Sequence, residues 1–149
     1  GALGTQVHEL LAGKTVAAPD PEALELAARF TGGEWGKRAA RASRSEREFD
    51  FLQAVEDVVL KGQIDLWFEE GGELILIDYK TDRPGGERNE VYEIQLRLYA
   101  LAVEKFAGRM PDRVLIYRLR EDRAVEVSMT AEDRRQALEA IREWKAIQE

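Results

Sequence analysis

Cysteine is absent from the 149 residues, and histidine occurs once, as His8. Disulfides, zinc–thiolate sites and cysteine-held iron–sulfur clusters are therefore excluded, and any metal must be held by oxygen and imidazole. Long hydrophobic runs are also missing. None approaches the about eighteen consecutive apolar residues of a membrane helix, and no signal-peptide layout opens the chain, so a soluble, cytoplasmic protein with no membrane partner is expected. Positive charge is in deficit, 22 Lys and Arg against 29 Asp and Glu, for a net −7. A broad unaided grip on nucleic acid is not expected from that balance, and any such contact has to be local. Basic residues gather at Lys37, Arg38, Arg41, Arg44 and Arg47, and again at Arg118, Arg120 and Arg123. Such runs usually mark solvated faces. What is present suffices for one core: a 44% hydrophobic chain of this length reads as a single domain over residues 1–149. Its patterned sequence starts almost at once after Gly1, which suggests a piece of a longer protein.

The order of elements reads α, α, β, β, β, α, β, β, α, an α/β domain. In "GTQVHELLAG", Thr5 is placed as an N-cap before Val7, Leu10 and Leu11, with Gly13 as a stop. "PDPEALELAARF" puts Pro21 in a first helical turn. "GGEWGKR" fails as a phosphate loop, because Gly32 and Gly36 enclose too few residues and Arg38 follows Lys37, so no nucleotide site is expected. "EREFDFLQAV", "DVVLKGQIDLWFEE" and "ELILIDYKT" are three neighbouring antiparallel strands, the last two joined at Gly71–Gly72. "NEVYEIQLRLYALAVEKFAG" has helical apolar spacing closed by Gly108 and Pro111. Two strands and a final helix opened by Thr130 and Asp133 complete the chain.

The Gly71–Gly72 hairpin has a consequence for charge. Turning there sets Glu70 opposite Glu73 and, further along the ladder, Asp65 opposite Asp78. Opposed residues on one sheet face have Cβ atoms roughly 4.5–5.5 Å apart, and like charges so placed repel. Lys80 shares that face, roughly 6.5–7 Å along from Asp78, with Leu74 and Leu76 behind, while Ile75, Ile77 and Tyr79 point the other way. A salt bridge from Lys80 would relieve the repulsion. So would a divalent cation accepting both carboxylates.

"GTQVHELL", "GQID", "LILIDYKTD" and "QLRLY" occur in the order of the motifs of the PD-(D/E)xK nucleases. The chain resembles their RecB-like branch, found at the C-terminus of bacterial RecB and AddA helicase–nucleases. The resemblance implies a restriction-endonuclease-like core, a central mixed sheet of about five strands flanked by helices. It implies metal ligation by His8, Asp65, Asp78 and the Tyr79 carbonyl, with Lys80 as the catalytic lysine. Gln95 and Tyr99 match the Q-x-x-x-Y motif that helps complete the site and contact DNA, and Arg83 and Arg97 are further candidates for DNA contact. Glu46 and Glu48 both lie where an acidic residue often stands on the first strand, and the sequence does not choose between them. A Pro before the first acidic residue is missing, as in the RecB-like branch generally. With Thr5 as N-cap, His8 would sit in a first helical turn, where the helix dipole disfavours imidazolium.

The activity so implied is Mg²⁺- or Mn²⁺-dependent hydrolysis of DNA, exonuclease ahead of endonuclease, on single-stranded DNA. The imidazole ligand makes Mn²⁺ a candidate beside Mg²⁺. The expected setting is a bacterial ATP-dependent helicase–nuclease with a helicase domain in the parent chain and a second, AddB- or RecC-like, polypeptide, acting in double-strand-break repair and recombination. Two rivals remain open: a nuclease-fold module that has lost catalysis and binds DNA or serves as a scaffold, and a stand-alone repair nuclease or resolvase.

Overall fold

In a computed structural model the protein is described over residues 1–82 and 89–148. Three helices come first: α1 (Ala2–Leu11), α2 (Pro21–Gly32) and α3 (Glu34–Ala40). The strands β1 (Arg44–Val55), β2 (Val58–Glu70) and β3 (Glu73–Lys80) follow, then α4 (Asn89–Ala107), β4 (Arg113–Arg118), β5 (Arg123–Glu126) and α5 (Ala131–Gln148). The sheet has the order β1-β2-β3-β4-β5, antiparallel except where β3 meets β4. It is the expected five-stranded mixed sheet in an α/β fold. The parallel step requires a crossover, and α4 supplies it.

Local chemistry explains most boundaries. Asp20 caps α2 by accepting the Glu22 amide at 2.8 Å, and Pro21 occupies the first turn. Gly71 and Gly72 both have positive φ, 59° and 80°, as a tight hairpin turn demands. At α5, Thr130 Oγ1 accepts the Asp133 amide at 3.1 Å while the Asp133 carboxylate accepts the Thr130 amide at 2.9 Å. The sequence pattern merges α3 into a glycine break. The structure folds it as a separate short helix, with Gly36 so close to the Phe30 carbonyl that a Cβ would stand 2.1 Å from it.

Leu74, Ile75, Leu76 and Ile77 are wholly buried, because helices cover both faces of β3. Ile75, Ile77 and Tyr79 join Val7, Leu26 and Phe30 of α1 and α2 in one core. Leu74 and Leu76 join Trp67, Leu96, Ala100 and Val103 beneath α4 in the other. β3 therefore runs through the middle of the molecule, buried from Leu74 to Tyr79 and part-exposed only at its two ends, Glu73 and Lys80. No helix among the described residues is long and apolar enough to cross a membrane.

Candidate active site

The β2–β3 register runs Glu70↔Glu73 to Leu66↔Ile77, so the next residues along are Asp65 and Asp78, as the hairpin dictates. There the ladder opens. Asp65 Oδ2, not a backbone carbonyl, accepts the Tyr79 amide at 2.8 Å. Pairing on the other side of Asp65 breaks at the same level. β1 pairs Arg47 with Leu66 and Phe49 with Ile64, while Glu48 between them turns to φ 45°. A left-handed glutamate inside a strand is uncommon and acts as a local kink. Asp65 thus sits where both neighbouring strands part from β2.

His8 reaches this gap from α1, its Nε2 3.2 Å from Asp65 Oδ2 and its Nδ1 2.7 Å from the Gly4 carbonyl. Gly4 of the G-T-x-x-H motif has a second role: a Cβ there would stand 3.0 Å from Thr81 Oγ1, just beyond Lys80. The dipole expectation for His8 is overturned. The helix begins at Ala2 with Gly1 as N-cap, and Thr5 lies inside it, donating its hydroxyl to the Gly1 carbonyl at 3.1 Å. His8 therefore falls in the last turn, where the dipole favours positive charge. The hydrogen bond to Asp65 is the main cause that raises its pKa to about 9, against a smaller opposing effect of burial. For Asp65, burial is the largest single influence and pushes the pKa up. His8, Asp78 and the Tyr79 amide together outweigh it, and the net shift is downward.

Asp78 is in the opposite condition. Burial and then the charge of Asp65 push its carboxyl upward, with Lys80 opposing. Lys80 Nζ lies 2.9 Å from Asp78 Oδ2, close enough for an ion pair but off the hydrogen-bonding direction, so Oδ2 is buried with no hydrogen bond. Two carboxylates brought together in a water-poor site call for compensating positive charge, which Lys80 and His8 supply here. The donor set, two carboxylates and one imidazole, fits a divalent cation such as Mg²⁺ or Mn²⁺. Among the described residues no three His, Asp or Glu side chains are already gathered as a cage. His8 and Lys80 stand against the two carboxylates instead.

α4 closes the site from the other face of the sheet. Gln95 Nε2 donates to Tyr99 Oη at 3.1 Å, so the two Q-x-x-x-Y residues act as a unit. Burial and then Asp78 raise the Tyr99 hydroxyl above its usual range, which places the ring in the field of the carboxylates. Gly62 of "GQID" makes this approach possible, since a Cβ would stand 2.8 Å from Tyr99 Cε1 and 3.0 Å from the Phe51 ring. Of the two glutamates left open, Glu48 lines a cleft of about 420 Å³ with His8, Gln63 and Thr81, its carboxylate 2.7 Å from Lys14 Nζ. Glu46 is absent from the residues lining that cleft, and it pairs across the strands with Trp67. Arg97 is engaged elsewhere, donating to the Ser128 carbonyl at 3.0 Å, and Arg83 lies outside the described residues.

The basic groups are largely structural. Arg38 bridges Glu70 and Glu73, and Arg120 donates to the Thr81 carbonyl and to Glu22. Sequence reasoning missed Tyr92, whose ring lies 3.8 Å from Lys80 Nζ. The signal was available, since Tyr92, Gln95 and Tyr99 share one helical face. Nothing in the sequence announced the backbone kink at Glu48.

Residues 2–149 match the PD-(D/E)XK nuclease superfamily, and the chain belongs to it. Among curated proteins it is similar to ATP-dependent helicase/nuclease subunits of several bacteria. It is 30% identical to the one from Bacillus pumilus over 148 residues, covering 83% of this chain and 12% of the relative. It is 40% identical to the one from Desulforudis audaxviator over 124 residues, covering 71% and 10%. The chain thus spans about a tenth of the length of these relatives. A crystal structure of a protein from Eubacterium rectale, to which exonuclease function is provisionally ascribed, shares the fold. The TM-score is 0.60 at 14% identity, over 94% of this chain and 62% of that one.

Proposed function

We propose that this chain is a metal-dependent deoxyribonuclease domain of a longer bacterial helicase–nuclease that processes DNA ends in recombination. The observation that carries this reading is the juxtaposition of Asp65 and Asp78 at the opened end of β2 and β3, with His8 against one carboxylate and Lys80 against the other. His8, Asp65, Asp78 and the Tyr79 carbonyl would hold Mg²⁺ or Mn²⁺. Held there, the cation would supply Lewis-acid polarisation of the phosphodiester and neutralisation of its developing charge.

The protein's own residues do the rest. The Gly4 carbonyl engages His8 Nδ1, which leaves Nε2 facing the site. Lys80 presents its ammonium beside Asp78, where it stabilises charge on the phosphate oxygens as the attacking water arrives. Tyr99, held by Gln95, forms the wall along which the strand lies. Similarity to helicase/nuclease subunits supports the larger setting, a helicase in the same polypeptide and a second protein partner, and a strand unwound by that motor would be the substrate. A linked motor delivers DNA at high effective concentration, so a net charge of −7 is compatible with the task.

The test is cleavage of labelled single- and double-stranded DNA with Mg²⁺, Mn²⁺ or EDTA, comparing wild type with Asp78→Ala and Lys80→Ala. Cleavage is expected only with metal, faster on single strands, and reduced at least about 100-fold in either variant. Variants that cut like wild type would show that the site is misassigned.

A further inference from the structure

Lys80 carries its charge on a four-carbon stem, and a side chain of that kind holds one position only if something fixes its end. Asp78 Oδ2 does so on one side, at 2.9 Å, without a directed hydrogen bond. On another side the Nζ lies over the face of Tyr92, 3.8 Å from the ring centroid, well inside the range of a cation–π contact. The ring is itself fixed. It packs against the core beneath α4, and its hydroxyl lies 3.5 Å from Asp82 Oδ2, whose other oxygen is 3.4 Å from Arg118. Arg118 is buried, so Tyr92 is backed by a side chain anchored in β4. Tyr92 stands three residues before Gln95 and seven before Tyr99, so one face of α4 serves both Lys80 and the ring beside the carboxylates.

We propose that Tyr92 is a positioning residue for the cleavage reaction: its ring face holds the Lys80 ammonium at the reacting phosphate, beside Asp78. The inference rests on Lys80 acting in catalysis as set out above. It makes the aromatic face the working part of Tyr92 and the hydroxyl secondary, because the ammonium sits over the ring. Substrate binding is not its task, so the effect falls on kcat and leaves KM alone.

The experiment compares wild type, Tyr92→Phe, Tyr92→Leu and Lys80→Ala in steady-state cleavage of a labelled single-stranded oligonucleotide with saturating Mn²⁺. Thermal stability and Mn²⁺ affinity are measured alongside. In the diamagnetic protein without Mn²⁺, NMR records the Lys80 ε-methylene shift, which a ring face moves upfield. Tyr92→Phe keeps the ring-current shift and a kcat within about threefold of wild type. Tyr92→Leu keeps apolar packing but loses the shift, and kcat falls about tenfold at unchanged KM and Mn²⁺ affinity. Three results would each overturn the proposal: a wild-type kcat in Tyr92→Leu, an equal loss of kcat in Phe and Leu, or an unperturbed Lys80 shift in wild type. A Lys80→Ala variant that cuts like wild type would instead bring down the catalytic reading on which the proposal depends.

Discussion

Asp78 holds a charge where the fold makes charge costly. Burial first, and the Asp65 carboxylate second, favour its neutral form. A carboxyl whose pKa is raised on folding supports the folded state while protonated and opposes it once ionised, so at pH 8 the ionised side chain works against folding. Asp78→Asn removes the charge at nearly constant shape. In EDTA at pH 8 the melting temperature should therefore rise by about 2–6 °C, while cleavage assayed separately with Mg²⁺ or Mn²⁺ is lost. A lower melting temperature would mean that the ion pair to Lys80 outweighs the burial of the charge. His8 has the reverse sign. Its folded pKa, about 9, lies above the ordinary value of 6.5. The stability it contributes is complete below about 6.5 and disappears as pH rises through about 9. Denaturation of the EDTA-treated protein should show this loss between those values, and His8→Ala should flatten it. Metal binding requires neutral imidazole and ionised carboxylates. Mn²⁺ affinity should therefore rise over the same window, with proton release seen as a dependence of calorimetric heat on buffer ionisation enthalpy.

Among the elements, β2 and β3 were the most legible. Gly71–Gly72 announced the turn, alternation announced the faces, and together they placed Asp65 and Asp78 at the same level from pattern alone. The same pattern marked β3 as central. Leu76, wholly buried, should lose about 2–5 kcal/mol of stability on replacement by Ala, measurable by denaturant unfolding. α1 was legible as a helix but not in its phase. Thr5 is a good N-cap by type, yet the helix starts before it, and with that shift His8 passes from the first turn to the last. Local propensity cannot decide between two starts a turn apart when the packing of Val7 and Leu11 decides it. The gap beside Asp65 was illegible for another reason: a left-handed Glu48 is dictated by the surrounding sheet and not by its residue type. Gly62 was visible as part of a motif, but its function is a matter of space. Gly62→Ala should cost about 1–3 kcal/mol and displace Tyr99, so cleavage should fall more than a comparable loss of stability elsewhere in β2 produces.

The whole molecule joins a pair of apposed carboxylates to a net charge of −7, a balance that does not favour DNA binding. Much of the positive charge is already committed to ion pairs with the protein's own carboxylates, such as Arg38 with Glu70 and Glu73, Arg134 with Glu104 and Arg142 with Glu56. The basic clusters in the sequence therefore do not add up to a DNA-binding face. DNA affinity of this chain alone should be weak and should fall steeply between about 50 and 200 mM salt, as a filter-binding or anisotropy titration would read. Tight, salt-insensitive binding would point to an apolar DNA contact that the charge pattern does not foretell. The central claim is that His8, Asp65 and Asp78 hold one divalent cation between them. Anomalous diffraction from crystals soaked in Mn²⁺ tests it most directly: the account predicts a peak within ligand distance of His8 Nε2 and of both carboxylates, absent in Asp78→Asn. A peak elsewhere, or the same peak undiminished in the variant, would contradict it.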